Sequence, residues 1–420
     1  MTLQPNASET LWLEDFAANR EDFPGAGDAW LDTLRARGIE KFLARGIPTR
    51  RVEAWHYTDL RNKLAPDGYE PATPWPGAIA SADPFAGVDA YRIVLANGFV
   101  RRDLSTVPDG VELVYLSDGD YPDWLREHLG RLSGAGETAA LNMALMRDGV
   151  ALRVTAALDR PLHLQFVGEP MMGPRASHLR HLIVVEEGAS LTLLQSFSAA
   201  PNSPDLVNEV VEIVARPGAR VEHVRVIAES APAVMLGGVF VELAERAVYD
   251  VGVLTLGAIL SRTDVNVGLN GEGANAALKA LTMQSGHADL TTHFTHAAPR
   301  AESRQLVKAV AGGKSRAIYQ GRITVAEGAD GTNAHQLARA LLLSREAEAD
   351  IKPELEILAD DVKCGHGAAI GSVDESALFY LRSRGLREEE ARSLLVEAFI
   401  ADVIEAMPQP QILSALVKTP

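Results

Sequence analysis

Cysteine is nearly missing from this sequence: 420 residues contain 1. One thiol cannot close an internal disulfide, and by itself it cannot build a cysteine-rich zinc site or ligate an iron–sulfur cluster. Positive charge is also short. Lys and Arg number 40 against 56 Asp and Glu, a formal net charge of −16. That field repels phosphate backbones and anionic lipid, which counts against nucleic-acid and membrane partners. No run approaches the roughly 18 apolar residues of a membrane span. Residues 1–16 also lack a basic segment followed by an apolar one, so the chain is expected to be soluble and cytoplasmic. Aromatics are sparse at 6%. What is present is ordinary for a globular chain, with 47% apolar and 23% charged residues, which excludes wholesale disorder. The length suggests two or three compact units, and 35 glycines suggest close-packed, turn-rich layers.

Three textures follow one another, dividing the chain at 1–148, 149–371 and 372–420. The first 65 residues read as helical, with Trp30, Leu31, Leu34, Phe42 and Leu43 on one face and Gly46-Ile47-Pro48 as a stop. Five prolines between 66 and 90 predict a stiff connector. Tyr91–Leu95 and Val111–Tyr115 read as short strands around an Asn97-Gly98 turn, and a polar helical stretch is expected near 121–147.

The central part carries a repeat. Glu187-Gly188-Ala189 recurs in kind as Pro217-Gly218-Ala219, Glu245-Arg246-Ala247, Glu272-Gly273-Ala274, Pro299-Arg300-Ala301 and Glu327-Gly328-Ala329. The successive spacings are 30, 28, 27, 27 and 28 residues. β-branched runs such as Val210–Val214 and Val221–Ile227 precede and follow each tripeptide. A fixed period of strand, turn and strand is the pattern of a solenoid, because one coil cannot cover its own inward face and must stack on the next. Coils stacked at roughly 4.8 Å make a prism, with a small residue at each corner to avoid the next coil.

After 371 the pattern becomes helical. Ser372 and Glu375 form a Ser-x-x-Glu capping box, Gly385 stands where a helix would end, and a second helix is expected over about 388–406. Its apolar stripe includes Leu394, Leu395, Phe399, Val403 and Ile404. Part of that stripe is expected to cap the open solenoid end, and part to receive a partner.

Several groups invite a chemical reading. Gly312-Gly313-Lys314-Ser315 ends like a phosphate loop, but position 308 is Lys and the following residues alternate like a strand, so a solenoid turn is expected. His287, His293 and His296 suggest metal, yet 293 and 296 point to opposite faces of a strand, as do His178 and His181. Cys364 and His366 differ. Two apart on a strand, they share a face, as does Asp360. Together they offer one soft and one borderline ligand, with Lys363 and His366 placed to favour the thiolate. Two ligands leave a site incomplete, so the remainder must come from elsewhere, including a second chain. The competing reading is a lone Cys acting as a small buried hydrophobe.

The run Asp360-Asp361-Val362-Lys363-Cys364-Gly365-His366-Gly367-Ala368, with Gly371-Ser372-Val373-Asp374, resembles the signature of the SufB/SufD family of the SUF iron–sulfur cluster assembly system. Phe379-Tyr380-Leu381-Arg382-Ser383-Arg384-Gly385-Leu386 is similar to the same family. So is Glu53-Ala54-Trp55-His56-Tyr57-Thr58-Asp59-Leu60, although Lys or Arg is more usual where His56 stands. The single cysteine and the length favour the SufD branch. The resemblance implies a mainly β protein, a right-handed parallel β-helix of ~28-residue coils flanked by N-terminal and C-terminal helical regions. It implies a non-catalytic scaffold that pairs with a SufB-like subunit and docks a SufC-like ATPase, or forms a homodimer when alone. An iron–sulfur cluster would be held only transiently and with the partner, His366 being the histidine the family contributes and Cys364 its neighbour. ATPase docking would map to the C-terminal region, including Ser372, Asp374, Phe379, Tyr380, Arg384, Leu395 and Phe399. The alternatives are a carbohydrate-active β-solenoid enzyme, for which aromatic platforms are lacking, and an assembly module with no metal contact.

Overall fold

Two ten-stranded sheets face one another, and from about residue 150 the chain alternates between them. The structure is a computed structural model describing residues 5–134, 136–284 and 286–417. The first sheet contains Arg175–Val185, Leu206–Ala215, Val234–Leu243, Leu260–Leu269, His287–His296, Arg316–Val325 and Glu348–Ile357. The second contains Ser190–Ala199, Arg220–Ala228, Val248–Thr255, Asn275–Gln284, Glu302–Ala311, Thr332–Leu342 and Val362–Ser372. Strand neighbours along this stretch pair in parallel, for example Arg220 with Val248 and Ser190. The expected solenoid is therefore present, with two flat sides instead of a prism's several faces.

The tripeptides are its corners. Their central residues all take left-handed backbone, with φ of +68° at Gly188 and Gly218, +67° at Gly273 and +79° at Gly328. Arg246 and Arg300 take the same conformation at +53° and +56°. A Cβ at Gly188, Gly218 or Gly328 would meet nothing within 4 Å. At these positions backbone handedness selects glycine, and solvent-facing Arg also tolerates it, whereas the expected crowding holds at other corner glycines: a Cβ would come 2.0 Å from the preceding coil's backbone at Gly271 and 2.3 Å at Gly286. Within each tripeptide the crowded position is the third one. Ala189, Ala219, Ala247, Ala274, Ala301 and Ala329 are buried in the main core. Consecutive corners are tied by backbone bonds such as Gly188 N–H to Pro217 O (3.1 Å) and Gly218 N–H to Glu245 O (2.8 Å).

Between the sheets lie apolar ladders such as Val211–Val239–Val265, interrupted by polar groups that composition could not place. Glu209 of the first sheet pairs with Arg225 of the second at 2.9 Å, both fully buried. Gln195 accepts from Arg225 at 2.8 Å, and the Arg225 guanidinium lies 4.4 Å from the Phe197 ring centre. A Cβ at Gly237 would fall 2.3 Å from Arg225 Nη2. That glycine makes room for the ion pair, a second use of glycine beyond the corners.

The N-terminal region is less helical than expected. Helices α1 (Ala7–Asn19) and α2 (Ala29–Arg45) form, α2 ending at left-handed Gly46, but residues 46–65 make turns and one 3₁₀ segment. Their course is dictated by the first sheet. Arg262 lies 3.9 Å over the Trp55 ring and pairs with Asp264 at 2.7 Å and Asp289 at 2.6 Å. Thr58 donates to Asp289 and lies 2.8 Å from His287 Nε2. Trp55 and Thr58 thus fasten the N-terminal segment to the outer face of the solenoid.

The expected pairing around Asn97-Gly98 is also revised. Tyr91–Ala96 turns back onto Phe99–Val100, whereas Val111–Tyr115 joins the other sheet beside Val150–Val154. The stretch 121–147 holds α3 (Asp123–His128) and α4 (Glu137–Leu145). Helix α4 is buried, not polar, because it packs between α2 and the first sheet.

Removing Glu209 leaves a charged guanidinium buried without its partner. Glu209→Ala should lower unfolding free energy by about 3–5 kcal/mol, measured by urea denaturation. Replacing both partners by Leu and Met should recover most of that loss, and a doubly substituted protein as unstable as the single variant would refute this account.

Candidate interface site at the open end of the solenoid

Glu348–Ile357 and Val362–Ser372 are the last strands of their sheets, each paired on one side only, with Arg316–Val325 and Thr332–Leu342. Among the described residues the expected helical cap over this end does not form. Helix α6 (Glu388–Ala406) lies along the outer face of the second sheet, where Val396, Ile400, Val403 and Ile404 pack with Leu281 and Val310. Lys308 of that face contacts Asp402 and the Phe399 carbonyl. The end keeps two parallel backbone edges, with Leu358 61% and Ile370 49% exposed beside them.

Cys364 and His366 do share a face. Their partners across the ladder are Ala334 and Gln336, both pointing into the lumen, so the pair forms the last rung of the inward-facing ladder. Cys364 packs against the edge of the core, while His366 is exposed. Asp360 does not join them, since it precedes the strand in a bend. Lys363 points to the opposite face, and burial raises the Cys364 thiol above its ordinary range. The anticipated thiolate is therefore not favoured. Gly365 and Gly367 lie on the outer side, where a Cβ at 367 would come 3.0 Å from Leu337.

Behind this rung is a polar network that the sequence reading did not find. Tyr319 Oη lies 3.1 Å from Gln305 Oε1 and 3.0 Å from Gln336 Oε1, and Thr292 donates to Gln305 at 2.7 Å. Gln336 Nε2 donates to the Glu354 carbonyl at 3.1 Å, tying the penultimate strand of one sheet to the last strand of the other. A Cβ at Gly321 would collide with both Tyr319 and Gln336. The available signal was parity: Tyr319 and Gly321 alternate in step with buried Ile323 and Val325.

The remaining histidines do not converge. His293 faces outward toward Thr324, His296 faces inward toward Ser303, and His287 serves Thr58. His178 packs edge-on against Trp12, while His181 accepts the Val150 N–H at 3.3 Å. Among the described residues no three His, Cys, Asp or Glu side chains gather to hold a metal ion. Residues 312–315 form the turn expected of them.

The C-terminal surface differs in part from expectation. Asp374, not Ser372, caps α5 (Glu375–Ser383), accepting from Ser376 N–H at 2.8 Å, because the strand continues through Ser372. Gly385 ends the turn after α5 with φ of +100°. Phe379 is 75% and Tyr380 56% exposed, with Arg384 stacked on Tyr380 at 5.2 Å. Leu395 and Phe399 are half-buried and turned toward their own sheet.

The sequence matches the SufBD protein N-terminal region over residues 6–164 and the SUF system FeS cluster assembly SufBD core domain over residues 168–399. An iron–sulfur cluster assembly SufBD family protein of Synechocystis is 31% identical over 91% of this chain and 89% of its own length. The iron–sulfur cluster assembly protein SufD of Escherichia coli is 29% identical over 88% of this chain and 87% of its own. The protein of the same name in Bacillus subtilis is 29% identical over 74% and 70%.

A thiol raised by burial should alkylate slowly at neutral pH. The rate of Cys364 modification by iodoacetamide should keep rising beyond pH 9. A plateau below about pH 8 would show instead that the thiolate is stabilised.

Proposed function

Because the chain belongs to the SufBD family of iron–sulfur cluster assembly proteins, we propose that it is a non-catalytic scaffold subunit that completes a nascent-cluster site only with a second chain. The observation that carries this reading is the position of Cys364 and His366, on one face of a last strand whose outer edge is unpaired. Two donors cannot enclose iron, but a partner strand laid along the same edge would bring further donors to the same rung. A SufB-like subunit is the fitting partner, and a second copy of this chain would use the same edges when that subunit is missing. His366 is the better placed donor, being exposed, whereas Cys364 must lose both a proton and its packing to bind metal. The cluster would be held only within the assembled complex.

Docking of a SufC-like ATPase is assigned to the α5 surface, where exposed Phe379 and Tyr380 stand beside Arg384. Aromatic and Arg side chains of this kind commonly anchor protein interfaces. Leu395 and Phe399 would act indirectly, by seating α6. No helix among the described residues is long and apolar enough to cross a membrane. A carbohydrate-active enzyme fits less well. Asp264 and Asp289 are bound to Arg262, and Trp55 is covered by that same guanidinium, leaving neither free acids nor an open ring in this part of the sheet.

Co-expression with SufB-like and SufC-like partners tests both assignments. His366→Ala should reduce the cluster content of the purified complex by roughly tenfold without altering its stoichiometry. Unchanged loading would remove His366 from the site. Phe379→Ala with Tyr380→Ala should weaken ATPase retention by about tenfold or more. Full retention of the ATPase by that double variant would place its docking elsewhere.

A further inference from the structure

A cleft of about 720 Å³ opens where the N-terminal segment crosses the corners of the solenoid opposite the Gly-Ala turns. It lies well away from Cys364 and His366 in the fold. Arg50 and Lys63 enter from the N-terminal segment, and Lys314 and Arg316 from the corner of a coil. The same walls carry Asp59, Glu346 and Glu348, so what matters is which cations those carboxylates leave unmatched.

The cations are not equally neutralised. Arg316 Nη2 lies 2.6 Å from Asp350 and Nε 3.3 Å from Glu348, while Lys314 stands 3.6 Å from Glu346. Asp59, the remaining carboxylate of the cleft, accepts from Asn62 at 3.0 Å. Arg50 and Lys63 are exposed and form no ion pair among the described residues. The floor is His287, 6% exposed. Thr58 donates its hydroxyl proton to Asp289, so the 2.8 Å contact makes His287 Nε2 the donor to Thr58. Burial holds His287 down at about 4 against the opposing pull of Asp289, with smaller contributions from Lys63, Arg316 and Arg50.

We propose that this cleft binds a small anion carrying two or more phosphate groups, with Arg50 and Lys63 as its principal ligands. Lys314 and Arg316 are matched by Glu346, Glu348 and Asp350, so Arg50 and Lys63 carry the unpaired charge, and a guanidinium fork with an ammonium suits several phosphate oxygens better than one carboxylate. Pyrophosphate and the phosphate tail of a nucleotide present the same chemistry. A ligand held by residues 50 and 63 on one wall and 314 and 316 on the other would also brace the N-terminal segment against the solenoid.

The test is calorimetric titration of the full chain with inorganic pyrophosphate at fixed ionic strength, beside ATP and citrate. Saturable binding at one site per chain is expected, weakened at least tenfold in the Arg50→Gln, Lys63→Gln double variant. Both positions are exposed, and an unfolding midpoint unchanged from the parent would show that the variant remains folded. ATP binding at least tenfold tighter than pyrophosphate would identify a nucleotide as the source, and equal binding would identify free phosphates. Absence of binding by both, equal affinity for citrate, or affinity indifferent to the double substitution would overturn the proposal.

Discussion

Every coil of this protein must return to its starting point one strand spacing further along, or the parallel ladders on both sides lose register together. On the row of corners that carries the tripeptides, a left-handed residue imposes that return. Each of these turns spans four to six residues between strands, places an alanine against the core and, at Gly188, Gly218, Arg246, Gly273 and Arg300, gives its backbone amide to the next corner. Where Arg replaces Gly, at 246 and 300, the same dihedral is kept, at a cost of about 1 kcal/mol relative to glycine that neighbouring coils can offset. A slip of one residue in any strand would turn its lumen side chains to solvent.

That geometry also explains why this end of the solenoid is open. Parallel coils satisfy backbone groups only through the next coil, so the last coil carries unpaired edges unless something covers them. Here α6 covers the flank of the second sheet and leaves the edge bare. The network of Tyr319, Gln305 and Gln336, with the Glu354 carbonyl, joins the last three coils across the lumen, so the edge is presented on a firm support. Cys364 and His366 sit at its rim, two donor side chains on one face of the last strand.

Polar groups inside the solenoid and outside it do different work. Arg225 and Glu209 lie in the lumen and join the two sheets, with Gly237 giving them space. Arg262 lies on the outer face, held by Asp264 and Asp289 of the same sheet, and joins the solenoid to Trp55. The motif around Trp55-His56-Tyr57-Thr58 is therefore an attachment device, and His56 is exposed beside it without taking part in these contacts.

Periodicity made the solenoid legible without coordinates, because the corner tripeptides recur every 27 to 30 residues and corner geometry is local. The shared face of Cys364 and His366 was equally legible, since strand parity needs no partner. Helix α6 could be bounded from its apolar spacing alone. What the sequence did not determine depended on neighbours distant along the chain. The burial of α4, the path of residues 46–65 and the polar lumen are set by groups tens to hundreds of residues away. The placement of α6 on the flank, and not over the end, follows from an apolar strip on the outer face of the second sheet assembled from several coils. The upward shift of the Cys364 thiol likewise comes from packing: its neighbour in sequence, Lys363, points away, and its neighbour in space is the edge of the core.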